Sequence, residues 1–130
     1  MSAMSESREM YLETILILSK TQQDVHAVHI CEYMNFSRPS VSRALKYLKQ
    51  DGYINVDGNR HVTLTEKGLR IAQSMYERHN LLTDCLVSLG VSRESAVEDA
   101  CRIEHVISAE TFEALKKHAL EFAKQRNGQQ

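Results

Sequence analysis

Apolar residues recur along the chain with periods that name its elements. Between Glu9 and Lys20, Tyr11, Leu12, Ile15, Leu16 and Leu18 fall on one face at helical spacing, which predicts a first helix. Val28 to Met34 reads as a short second helix, ended by Asn35. Ser37 is placed to cap a third, with Pro39 in its first turn, where a missing N–H costs nothing. Val41, Ala44, Leu45 and Leu48 form its apolar stripe, and Asp51-Gly52 ends it. The period then drops to that of strands. Tyr53 to Val56 and His61 to Leu64 flank Asp57-Gly58-Asn59-Arg60, a hairpin-turn signal. Thr65 caps a long helix whose stripe runs through Ala72, Met75, His79, Leu82, Leu86 and Leu89 to a stop at Gly90. Ser92 starts a further helix to about Ile107. Ser108 starts a last one through Phe122, before the polar tail Asn127 to Gln130.

The fold expected is therefore mainly α. Three short helices followed by a β-hairpin are the order of a winged helix-turn-helix DNA-binding domain, in which the third helix enters the major groove and the wing touches the flanking backbone. An all-helical domain follows. The boundary falls inside the long helix, giving residues 1–73 to the DNA-binding domain and 74–130 to the second, where the apolar faces of the last helices are expected to make a homodimer. Val97, Ile103, Val106, Ile107, Phe112 and Leu115 are the candidate interface residues.

Charge sharpens this picture only when it is divided. The whole chain of 130 residues carries a formal −1, which advertises no polyanionic partner. Phe36 to Arg60, however, holds Arg38, Arg43, Lys46, Lys49 and Arg60 against Asp51 and Asp57, a local +3, and leaves −4 for the remainder. A basic reading head on an acidic body fits double-stranded DNA. Ser37, Arg38, Pro39, Ser40, Ser42 and Arg43 lie at the start of the third helix, where hydroxyls and free N–H groups bind phosphate and arginine pairs with guanine edges. Lys46 and the wing-tip Arg60 extend the set. For any one of these cations a solvated helix face is an equal explanation, and the argument rests on the helix and wing together.

The apolar runs are too short for a membrane span, and the polar start, Met1 to Arg8, does not read as a secretory signal, so a cytoplasmic protein is expected. Three cysteines, at 31, 85 and 101, with no C-x-x-C pair, argue against a disulfide framework.

One segment is rich in ligand chemistry. Offsets of three and four place Cys101, Glu104 and His105 on one helical face, where a thiolate, a carboxylate and an imidazole are three donors for a transition metal. A thiolate–imidazolium pair for nucleophilic catalysis is the rival reading, but no glycine-rich oxyanion turn accompanies it. His79 within its apolar stripe, Met10 and Glu13 are unremarkable singly.

Together the motifs resemble the diphtheria toxin repressor family of iron- and manganese-dependent transcriptional repressors. The resemblance is carried by Glu9-Met10-Tyr11-Leu12-Glu13-Thr14-Ile15, by Ser37-Arg38-Pro39-Ser40-Val41-Ser42, and by Leu64-Thr65-Glu66-Lys67-Gly68 after the wing. Arg78-His79 and Asp99-Ala100-Cys101-Arg102-Ile103-Glu104-His105-Val106 complete it. It implies a metal between the DNA-binding and dimerisation domains, with Met10, Glu13, His79, Cys101, Glu104 and His105 as ligands, and no enzymatic activity. Met10 and Cys101 match the iron-type pattern, whereas Glu13 and the absence of an SH3-like third domain look manganese-type. Thr83 and Val97 stand where iron-type members carry a Glu and a His for an ancillary site, so that site is not expected in its usual form; Glu13 and His79 with a carboxylate bridge from Glu104 are the alternative, and Asp84 and Glu98 weaker candidates.

Ligand softness favours Fe²⁺, because a thioether and a thiolate suit later, softer ions than Mn²⁺. Mn²⁺ is the alternative, and Co²⁺, Ni²⁺ or Zn²⁺ are expected to substitute in vitro. The function expected is a metal-activated repressor of metal-homeostasis genes. The rivals are a Mn²⁺-responsive repressor of the same family, a metal-independent winged-helix regulator of the multiple-antibiotic-resistance type, a thiol hydrolase and a purely structural dimerisation module.

Overall fold

The side chain of Ser5 accepts the N–H of Arg8 and opens helix α1 (Glu6–Thr21), so the first helix starts earlier than its apolar stripe. The computed structural model describes residues 5–128, and side chains as far as 122. After α1 come α2 (Ala27–Met34), α3 (Arg38–Gln50), strands β1 (Ile54–Val56) and β2 (Val62–Leu64), α4 (Glu66–Ser88), α5 (Arg93–Ile103) and α6 (Ala109–Gly128). The mainly helical architecture with one hairpin after the third helix is the one expected. The chain forms two compact units, divided between Tyr76 and Glu77 within α4.

In the first unit, α1 packs on α2, α3 and β2, and α3 packs on β1. The stripes named above supply the core: Leu12, Ile15, Ile30, Val41, Leu48 and Ile54 are fully buried. Asn35 ends α2 in the left-handed region at φ 56°, a conformation its short amide side chain tolerates. Ser37 caps α3 as expected, its Oγ accepting the N–H of Ser40 at 3.3 Å. The two strands pair antiparallel, Ile54 with Leu64 and Val56 with Val62. The amide of Val62 also donates to Val25 O at 2.8 Å, which ties the wing to the α1–α2 connection.

Thr65 joins the wing to α4. Its Oγ1 donates to Gly52 O at 2.7 Å and accepts the N–H of Gly68 at 3.2 Å, while its own N–H goes to Tyr53 O at 3.1 Å. Gly68 lies so close to the Tyr53 carbonyl that a Cβ there would overlap it.

In the second unit Leu82, Ala96, Ala100 and Phe112 are buried, and the guanidinium of Arg78 lies 5.2 Å from the centre of the Phe112 ring. Two expectations need correction here. The helix begun at Ser92 ends at Ile103 rather than near Ile107. Glu104 is its C-cap, and the backbone tightens into a turn that leads to Ser108, the cap of α6. The stop is tertiary: one Nη of Arg78 donates to Glu104 O at 3.1 Å and to Ile107 O at 3.3 Å, serving carbonyls that a continuing helix would have used. In the other direction, α6 runs past Phe122 to Gly128, because Lys, Gln and Arg are good helix formers even without an apolar stripe. The rest of the expected polar tail, residues 129 and 130, lies outside the described residues.

Candidate metal and DNA-binding sites

In the second unit the carboxylate of Glu104 is completely buried. Its Oε2 lies 3.1 Å from His79 Nδ1 and its Oε1 lies 3.2 Å from His105 Nε2. α4 supplies His79, and the turn after α5 supplies the other two. Sequence spacing placed Cys101, Glu104 and His105 on one helical face. The structure instead puts His105 beyond the helix end, where the turn brings its ring against the neighbouring carboxylate. Cys101 is a free thiol, half-buried, within α5 itself.

A buried carboxylate costs several kcal/mol unless charge or hydrogen bonds compensate it. Two imidazole nitrogens face it at these distances, and they also suit a divalent ion. Neighbouring ligand atoms on a first-row ion with bonds of about 2.0–2.2 Å lie roughly 3 Å apart. His79 Nδ1 and Glu104 Oε2, 3.1 Å apart, thus fit such an ion in both chemistry and spacing, and His105 Nε2 faces the other oxygen of the same carboxylate. Arg78, which the sequence offered only as a motif letter beside His79, holds the backbone of Glu104 through its carbonyl. In the first unit, Met10 is partly buried and Glu13 is 6% exposed, both on α1. At the ancillary-site positions Thr83 is buried and Val97 exposed, and the weaker candidates Asp84 and Glu98 are exposed.

Among the candidate interface residues, Phe112 is covered within its own unit, under Arg78, and is corrected accordingly. Val97 and Val106 are exposed, whereas Ile103, Ile107 and Leu115 are half-buried.

The DNA-binding candidates separate into two stripes on α3. Ser37, Ser40 and Arg43 line one groove of about 530 Å³ with Arg8, Tyr11, Phe36 and Tyr47. Arg38, Ser42 and Lys46 line a second, of about 500 Å³, with Lys49, His26 and the wing residue Arg60. Helical steps of three and four explain the division. Pro39 occupies the exposed first turn. Lys49 belongs with Arg38, Ser42 and Lys46 by the same spacing and was legible in the sequence. Arg8 was not, since its neighbour Asp51, 2.6 Å away, lies at the far end of α3. Among the described residues, no helix is long and apolar enough to cross a membrane.

Both halves of the chain match domains of known proteins. Residues 3–62 match the iron-dependent repressor N-terminal DNA-binding domain, and residues 65–130 match the iron-dependent repressor metal-binding and dimerisation domain. An HTH-type transcriptional regulator of Methanocaldococcus jannaschii is 34% identical over 115 residues, covering 87% of this chain and 92% of that protein. The iron-dependent repressor IdeR of Mycobacterium tuberculosis is 35% identical over 118 residues, 90% of this chain but 51% of IdeR. The transcriptional regulator MntR of Escherichia coli is 36% identical, covering 82% of this chain and 68% of MntR. Among solved structures, the metal-dependent regulator MtsR superposes with a TM-score of 0.81 at 27% identity over 92% of this chain and 55% of MtsR. The manganese regulator SloR gives 0.77 at 31% identity, over 86% of this chain and 53% of SloR. The chain thus spans about half the length of IdeR, MtsR and SloR. It belongs to the iron-dependent repressor family of metal-dependent, DNA-binding transcriptional repressors.

Proposed function

We propose that this protein is a homodimeric repressor whose affinity for operator DNA is raised by a divalent metal, with Fe²⁺ preferred and Mn²⁺ as the alternative. The observation that carries the metal dependence is the fully buried Glu104 carboxylate between the imidazoles of His79 and His105. The proposed ligands are Met10 and Glu13 from the first unit, and His79, Cys101, Glu104 and His105 from the second. These residues would hold the ion, which would supply positive charge opposite their carboxylates.

Restraint of α1 by Met10 and Glu13 limits the freedom of the reading head relative to the second unit. In a dimer that must meet two half-sites at once, this lowers the ordering cost of binding. A coupling of about 1–3 kcal/mol corresponds to roughly 5–150-fold in affinity. On the DNA side, Ser37, Ser40 and the N-terminal turn of α3 offer hydroxyls and N–H groups to phosphate. Arg38, Ser42, Arg43 and Lys46 lie along the exposed length of α3, and Arg60 reaches from the wing. Of the candidate interface residues, Val97 and Val106 are exposed and available for dimerisation.

Preference for iron rests on the thioether of Met10 and the thiol of Cys101, both softer than the oxygen donors Mn²⁺ favours. Relatives of both kinds exist, since IdeR is named for iron and SloR for manganese. Duplex DNA selected from a randomised pool, shifted by the anaerobic protein with Fe²⁺, Mn²⁺ or chelator, tests the proposal. Retardation that is unchanged by chelator would end the metal-activated mechanism. Equal or stronger activation by Mn²⁺ would end the preference for iron.

A further inference from the structure

The wing contains one acid between Ile54 and Leu64, Asp57, which follows Val56, a lining residue of the groove that holds Arg38, Lys46, Lys49 and Arg60. By charge alone an exposed carboxylate there opposes a polyanion, so its contacts matter. Oδ1 accepts the N–H groups of Asn59 and His61, both at 2.9 Å. Oδ2 lies 3.2 Å from His61 Nδ1, and the same ring nitrogen faces Asp24 Oδ1 at 3.6 Å. The His61 ring stands edge-on to His26, with centroids 4.6 Å apart, and the next amide, that of Val62, is bonded to Val25 O. Asp57 and His61 therefore brace the turn internally and against the α1–α2 connection.

Between them lies Arg60. Its N–H donates to Asp57 O at 3.0 Å, and its φ is 64°, in the left-handed region that hairpins of this kind normally give to glycine. Gly58, two residues earlier, is not among the residues with positive φ. Glycine is thus available to the turn yet arginine holds the unfavourable conformation, and Arg60 lines the groove shared with Arg38, Lys46 and Lys49. Backbone hydrogen bonding, led by the His61 amide, also holds the Asp57 carboxyl below its usual range, so it stays ionised.

We propose that Asp57 is a positioning residue for DNA binding, whose carboxylate, accepting the Asn59 and His61 amides, fixes the left-handed Arg60 so that its guanidinium joins the α3 cations on one DNA phosphate backbone. This rests on the reading of the α3–wing groove as a DNA surface.

The test uses the full chain loaded with Mn²⁺ and a labelled random-sequence duplex, because phosphate contacts act on every sequence alike. Asp57→Asn keeps an oxygen acceptor for both amides and loses the charge and the Oδ2 contact with His61, so affinity is expected within about twofold of wild type or tighter. Asp57→Ala removes the acceptor and is expected to weaken binding about fivefold or more, with the salt-dependence slope reduced by about one as for Arg60→Ala. In the Arg60→Ala background, Asp57→Ala is expected to add nothing. Arg60→Gly is expected to bind as weakly as Arg60→Ala while unfolding at the same or a higher temperature, which separates lost contact from lost fold.

Independent, additive effects of Asp57→Ala and Arg60→Ala would overturn the proposal, as would a loss in Asp57→Asn equal to that in Asp57→Ala. If Arg60→Ala and Lys46→Ala both leave affinity and salt slope unchanged, the DNA surface itself is wrong and the proposal falls with it. Weakening by those two variants without coupling to Asp57 would overturn the positioning role alone.

Discussion

Arg78 donates to the carbonyl of Glu104 at 3.1 Å, so the residue next to His79 fixes the backbone of the carboxylate that His79 faces. The link joins α4 to the end of α5 without touching either proposed ligand's donor atoms. Such supporting contacts orient ligands, and their loss typically costs about 10–100-fold in metal affinity. Arg78→Met is expected to weaken Mn²⁺ binding by that order in anaerobic calorimetry. It should also destabilise the metal-free protein by about 1–3 kcal/mol, through two carbonyls left without their donor. Unchanged metal affinity would show that the turn holds its shape without the arginine.

Gly68→Ala sets two effects against each other. Alanine gains up to about 1 kcal/mol over glycine in a helix interior. The new methyl group, however, meets the Tyr53 carbonyl, which cannot retreat while it accepts the Thr65 N–H. Overpacking costs of about 1–3 kcal/mol are the rule where backbone must shift, so a net loss is expected in urea unfolding. A stabilised variant would mean that the wing base moves freely from α4.

The Asp57 carboxyl is held below the usual aspartate range, chiefly by the His61 amide. A depressed folded-state pKa stabilises the fold above the unfolded value of about 3.9, and that contribution is lost as pH falls through the lower, folded value. The wing is therefore expected to stay braced at pH 5 and to loosen only in stronger acid. Carboxyl-carbon and amide NMR titration checks this: the Asp57 carboxyl and the Asn59 and His61 amides should share one midpoint, below the ordinary aspartate value. A midpoint at or above that value would contradict the bracing.

Exchanging the soft donors tests the choice of ion. Met10→Asp with Cys101→Glu replaces sulfur by oxygen at both positions, and the relative activation of DNA binding by Mn²⁺ over Fe²⁺ is expected to rise. An unchanged ratio would show that selectivity lies elsewhere in the site.

The helices of the reading head, the Ser37 cap and the hairpin were legible because each is specified locally, by apolar period, by a capping hydroxyl or by a turn sequence. The end of α5 was not. Ile103, Val106 and Ile107 continue an apolar pattern, and the stop comes from Arg78, which is distant in sequence. The same limit applied to the metal site. Spacing singled out Glu104 and His105 as candidate donors, but it could not reveal that His79 faces the other oxygen of that buried carboxylate. In the wing, Asp57-Gly58 announced a turn correctly, yet the left-handed residue proved to be Arg60, a choice set by hydrogen bonds around the turn rather than by glycine content.

The division of charge between head and body also bears on how such a protein would search a chromosome. Each phosphate neutralised by a cation releases condensed counterions, and affinity falls with the logarithm of salt at about 0.9 per contact. With a net +3 on Phe36 to Arg60 and −4 on the remainder, a correctly turned head gains most from this release. Encounters through the net-negative remainder gain less. Non-productive residence on bulk DNA is thereby shortened, and a net charge near zero becomes a means of fast exchange between sites.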